Sequence, residues 1–210
     1  MDAAYELSSF IVDTTFADLP QEAIDVAKKE VLDTLATTLG GSQDKTVIEL
    51  YELVKIWGGR EESTIIAHGG RFPSPNAAMV NSTMASALAY HDTHERGHLH
   101  AASVVVPSAF AISEAKGGVD GKEFITALCV AVELGCRLGI ATKSAKPNIL
   151  MGGWSYGPLL GYFTGAAVAG KILHLDKQKM HNALGIAYNQ ASGNAQGVKR
   201  AFLCARTTRG

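Results

Sequence analysis

The sequence predicts an all-α fold, a multi-helix bundle carrying at most one short extended segment, and three observations support that expectation. Apolar residues recur at helical spacing along most of the chain, and prolines and paired glycines punctuate it about once per helix length. The bulk of the 47% hydrophobic content is Ala, Leu, Val and Ile, with aromatic residues at only 7% and 22 glycines, a mix that suits helices packed at short range. A chain of 210 residues is one large domain or one and a half ordinary ones, ample for a real core.

Residues 3–15 set Tyr5, Leu7, Phe10 and Ile11 at helical spacing and predict a short first helix. Asp18-Leu19-Pro20 is a start signal, since proline in the first turn gives up no needed N–H. The helix it opens runs from Gln21 to Leu39, with Ala23, Ile24, Ala27, Val31, Leu32, Leu35 and Leu39 as its apolar stripe and Gly40-Gly41 as its stop. A third helix from Asp44 to about Trp57 carries Val47, Ile48, Tyr51, Leu53 and Val54. Ser63 to Ala67 is β-branched and brief, so it reads as an extended segment or small hairpin, followed by a turn from His68 to Pro73. Ser74-Pro75 then opens a long apolar helix ending near Leu88. Further helices are predicted from Val104 to Lys116 and from Lys122 to about Thr142, the latter with a structural Glu133–Arg137 pair four residues apart. After a glycine-rich loop, Leu159 to Leu173 is helical, with Gly161, Gly165, Ala169 and Gly170 admitting close approach of a neighbour. His174-Leu175-Asp176 caps a last helix through Asn189.

Composition excludes several functions. The net charge is −1 with no basic block, which indicates neither nucleic acid nor an anionic membrane surface as partner. Cys129, Cys136 and Cys204 are an odd set, with the first two placed as core residues of one helix, so a reducing cytoplasm is expected and a disulfide framework is not. The N-terminus lacks a signal-peptide pattern, and the most apolar run, Leu159 to Val168, is too short to cross a bilayer.

The stretch from Ala87 to Pro107 is where chemistry is expected. Four of the seven histidines, His91, His94, His98 and His100, fall within ten residues, together with Asp92, Thr93 and Glu95. Histidine titrates near neutrality, and a flanking carboxylate orients or polarises an imidazole. These residue types also suit a metal, but no H-E-x-x-H and no paired cysteines accompany them, so no metal is predicted. Gly153-Trp154-Ser155-Tyr156-Gly157 mimics a nucleophile elbow but lacks the strand that motif requires. The favoured chemistry is proton abstraction beside a carboxylate. His100 or His94 acts as base, Thr93 and Asp92 fix geometry, and the backbone N–H groups of Gly152-Gly153 at a helix start receive an anion.

These motifs in order, Ala27 to Gly40, Asn81 to His100, Glu133 to Gly139, Gly161 to Lys171 and Ala183 to Gly193, make the chain resemble the helical domain of the MmgE/PrpD family. The resemblance implies a cofactor-free lyase, a hydro-lyase acting on small hydroxy-carboxylic acids such as 2-methylcitrate by α-proton abstraction. It also implies a homodimer whose substrate lies between an all-α domain and a smaller α+β lid. The family loop reads D-x-D-D-T-H with a later histidine, and Asp92, Thr93, His94 and His100 match its last positions. By that match the catalytic residues are Asp92, Thr93 and His100, and His94, Gly153 and Ser155 face the substrate. The chain departs from the pattern at Ala89 and His91, which replace aspartates, and at Ser155, which replaces a histidine. Near Ala205 a family lysine is missing. Residues 1–198 are therefore expected to form an incomplete helical domain, with the lid absent and 199–210 a divergent tail, as a truncation or frameshift near Val198 would produce. Two rival readings stand beside this one: a catalytically inactive helical module that binds partners, and a metal-dependent hydrolase using the His91–His100 cluster.

Overall fold

The computed structural model describes residues 3–144 and 153–195. Gly152, Cys204, Ala205 and the tail from 199 lie outside them, so the readings that fall there have no structural counterpart. The described residues form eight α-helices and one tiny hairpin: α1 (Ala3–Asp13), α2 (Gln21–Gly41), α3 (Lys45–Trp57), β1 (Ser63–Thr64), β2 (Arg71–Phe72), α4 (Ser74–Ala87), α5 (Ala102–Lys116), α6 (Gly121–Ser144), α7 (Tyr156–Ile172) and α8 (Lys177–Gln190). The fold is all-α, as the spacing predicts.

The main core joins α1, α5, α6, α7 and α8 through Ile11, Val105, Ala127, Leu134, Val168, Ile172 and Met180. Fully burying an aliphatic side chain of this size contributes about 1.5–3 kcal/mol, so this cluster dominates the gain from packing. A second cluster, with Val47, Val54, Ile65, Val80 and Met84, seats α3 and the hairpin on α4. There the buried Asn81 amide accepts from the Ile66 N–H at 2.9 Å and donates to the Thr64 carbonyl at 3.0 Å. A third cluster sets Leu99 and Ala101 against Tyr156 and Leu160, which brings the start of α7 to the histidine loop.

Several expectations change in detail. The extended segment is half of a hairpin, with Ser63 opposite Phe72 and Thr64 opposite Arg71, so part of the predicted turn is strand. On α2 the predicted stripe holds at Ile24 and Ala27, which are buried, but fails further along: Leu32 and Leu39 are 71% and 56% exposed, whereas Thr34, Thr37, Thr38 and Gly41 are buried. The buried hydroxyls of Thr37 and Thr38 donate to the Thr34 carbonyl, which lets a polar face pack. The helix ends at the glycine pair, with Gly40 and Gly41 as its last two residues, and α4 crosses at Gly41 so closely that a Cβ there would collide with the Met84 carbonyl oxygen. Cys129 and Cys136 are only half-buried. α6, rather than the Leu159–Val168 run, has the length and mean hydropathy, 1.8, of a membrane span. Of that window 44% is packed inside the protein, and a core helix passes the same test.

Replacing Gly41 by Ala should destabilise the domain. Removing a helix glycine gains up to about 1 kcal/mol, but overpacking against backbone costs about 1–3 kcal/mol or more. Urea unfolding should show a lower midpoint, and an unchanged or raised midpoint would mean that α2 and α4 are not held in this contact.

Candidate active site

α4 ends at Leu88, and Ala89, with φ +50°, turns the chain out of the helix and into the loop that carries all four clustered histidines. Within the loop the His94 N–H donates to the Leu99 carbonyl at 2.8 Å, and the Leu99 N–H points back to the His94 carbonyl at 3.4 Å, closing residues 94–99 into a miniature hairpin. The loop rests on α6 through glycines. A Cβ on Gly139 would lie 2.6 Å from the Gly97 carbonyl oxygen, so both chains approach to backbone contact.

Asp92 anchors the other side. Its carboxylate accepts from the Ala101 N–H at 2.9 Å and the Ala102 N–H at 3.2 Å, at the first turn of α5. Donors there have no partner within the helix, and the positive end of the helix dipole favours a carboxylate. This tertiary cap starts α5 two residues before the predicted Val104. It also means that the Asp92 carboxylate is committed to the helix, while the backbone carbonyl of the same residue meets the imidazole of His100.

Nδ1 of His100 lies 2.5 Å from the Asp92 carbonyl oxygen and 3.2 Å from Oγ1 of Thr93. A carbonyl only accepts, so Nδ1 carries the proton, the Thr93 hydroxyl oxygen accepts a second share of it, and Nε2 keeps its lone pair. His94 takes the opposite tautomer: its Nδ1 accepts from the Gly97 N–H at 3.0 Å, which places its proton on Nε2. In these neutral tautomers His100 has its acceptor at Nε2, and His94 has its donor there.

The remaining histidines divide sharply. The ring of His91 stacks on His100 with centroids 4.2 Å apart and planes 18° apart. Burial, and then the neighbouring His100, hold the His91 pKa below the ordinary value against the pull of Asp92 and Asp33. His98, at φ +49°, stacks on Tyr156. His68 bonds the Ser42 carbonyl and stacks on Tyr51, and His174 pairs with Glu123, both far from the loop in role. No group of three or more potential ligands that could hold a metal occurs among the described residues.

Gly153 and Ser155 reach the loop only through packing. Ser155 is the N-cap of α7, makes no side-chain capping bond, and donates its N–H to the Gly193 carbonyl at 2.8 Å. The Gly153 carbonyl accepts from the Ala195 N–H at 2.7 Å. Tyr156 and Leu160 then carry this end of α7 against Leu99 and Ala101 on either side of His100.

One residue was missed from the sequence. Glu30 of α2 lines a cavity of about 510 Å³ with Phe10, Ala27, Val106, Cys129 and Glu133 behind the start of α5, away from the His100 ring. Its Oε2 is buried without a partner, and burial, then Asp92, then Asp33 push its pKa up to about 7. The signal was present, since Glu30 continues the Ala23–Ala27 register of the apolar stripe. Nearby, burial first and then Glu133, Asp92 and Glu30 raise the Cys136 thiol to about 11, which leaves it protonated and unreactive at neutral pH.

The fold and this loop define an all-α domain that holds an imidazole, with its Nδ1 turned to a backbone carbonyl, beside the capped start of a helix. The chain belongs to the MmgE/PrpD family: the MmgE/PrpD N-terminal domain matches residues 5–204. It is 31% identical over 194 residues to the cis-aconitate decarboxylase-like protein oryM of Aspergillus oryzae, covering 90% of this chain and 40% of that one. It is 33% identical over 180 residues to cis-aconitate decarboxylase of Aspergillus terreus, covering 84% of this chain and 36% of that one. The chain thus spans about two fifths of the length of these curated relatives, whose printed names are those of lyases.

Glu30 yields a stability prediction. Because its folded pKa is raised, the folded protein binds that proton more tightly than the unfolded chain between 4.5 and about 7. Its favourable contribution is complete below the lower value and is lost as pH rises through about 7. Urea unfolding across this range should show stability falling in the wild type, with Glu30→Gln flattening the decline. Parallel profiles for the two proteins would show that Glu30 titrates normally.

Proposed function

We propose that this domain supplies the proton-transfer group of a lyase acting on a small polycarboxylic acid, with His100 exchanging a proton at a carbon next to a carboxylate. The observation that carries this reading is the pinning of Nδ1 by the Asp92 carbonyl and the Thr93 hydroxyl, which leaves Nε2 as the reactive atom. The names of the relatives support a decarboxylation of cis-aconitate or a similar acid. In that reaction the C–CO2 bond breaks, CO2 departs, the electron pair stays on carbon conjugated with a remaining carboxylate, and protonated His100 delivers its Nε2 proton. In the dehydration of a hydroxy acid such as 2-methylcitrate, the same atom takes the α-proton while the hydroxyl leaves as water after taking a second proton from solvent. Both routes move one proton between Nε2 and carbon, in opposite directions. His94, with its proton on Nε2, is the donor toward a substrate carboxylate.

The test uses the protein that contains this chain, supplied with cis-aconitate and with 2-methylcitrate while CO2 release and water loss are followed. His100→Asn should lower kcat about 10²–10⁴-fold on whichever acid is turned over. Equal rates for wild type and variant would remove His100 from the chemistry, and turnover of neither acid would favour the inactive helical module.

A further inference from the structure

We propose that His91 is a positioning residue for His100, its ring a face-to-face platform that fixes the plane of the neighbouring imidazole. The inference rests on His100 as the proton carrier. The bonds at Nδ1 hold one edge of the His100 ring, and the stacked His91 ring, 4.2 Å away, covers one face and stops the ring from pivoting about that edge. The loop is shaped to make this stack. Ala89 turns the chain at positive φ to set His91 down, and the 94–99 hairpin returns His100 over it.

The platform ring is also poorly placed to hold a charge. Two imidazolium rings at this distance repel, and Nδ1 of His91 is buried with no hydrogen-bond partner, so a proton on His91 gains little there. The groups facing it are His100, Asp92 in the loop and Asp33 of α2, with Glu30 of α2 beside Asp92. The two aspartates favour charge on His91, and burial and His100 oppose it more strongly.

Three substitutions test this, with kcat, KM and the NMR titration of the His100 ring as readouts. His91→Phe keeps a flat ring against His100 and should stay within about threefold of wild-type kcat. His91→Ala removes the platform and should lower kcat about tenfold or more at nearly unchanged KM, since small misplacement of a reacting group is costly. His91→Asp puts a carboxylate beside the imidazole and should move the His100 titration, and the acid limb of the rate profile, to higher pH. A wild-type kcat and pH profile in His91→Ala, or a Phe variant as impaired as the Ala variant, would overturn the proposal. The titrations report on the pair whether or not an acid is turned over. Failure of the proton-transfer reading itself would appear separately, as an unimpaired His100→Asn enzyme.

Discussion

The site depends on one residue bonding in two directions. The Asp92 carboxylate closes the first turn of α5, and its backbone carbonyl, a few bonds away, holds Nδ1 of His100. A helix-start cap of this kind is worth about 0.5–2 kcal/mol, enough to set where α5 begins but small beside the core. Its larger consequence is geometric. The imidazole is indexed to the most buried end of a core helix instead of hanging from a mobile loop, so its position inherits the rigidity of the bundle. In a family reading Asp92 counts among the catalytic residues; the contacts here give its carboxylate a supporting part and its carbonyl the direct one.

Around that anchor the bundle is built for proximity. Glycine meets glycine where the loop lies on α6, and glycine meets backbone again where α2 crosses α4, each contact excluding even a methyl group. Close approach brings acids together as well. Glu30, Asp33 and Asp92 share one neighbourhood, and the half-buried Glu30 is pushed toward protonation.

Much of the fold was legible in the sequence because its signals are local. The apolar spacing of α1 and α3, the Pro75 start of α4 and the glycine turn after Lys116 each depend on a few adjacent residues, and each helix appears within a few positions of its expected place. The buried face of the second half of α2 was not legible, because threonines that satisfy their own hydroxyls and a glycine under Met84 face the protein while Leu32 and Leu39 face outward. Pattern reading assigns leucines to the core, and here close helix crossing overrode it. The loop was located by its cluster of histidines, and Asp92, Thr93 and His100 do meet there. Its tautomers were beyond the sequence, since they follow from which carbonyl and which N–H each ring nitrogen faces across the loop. Glu30 and the partnering of His91 with His100 likewise arise only when α2 and the two ends of the loop are brought together.

The most direct measurement of the central claim is the nitrogen NMR spectrum of the His100 ring at a pH where it is neutral. Nδ1 should carry the proton, held by the Asp92 carbonyl, while His94 in the same spectrum carries its own on Nε2. A His100 ring protonated on Nε2, the form that a free imidazole prefers, would contradict the account, because the atom assigned to the substrate's carbon would then hold a hydrogen instead of a lone pair.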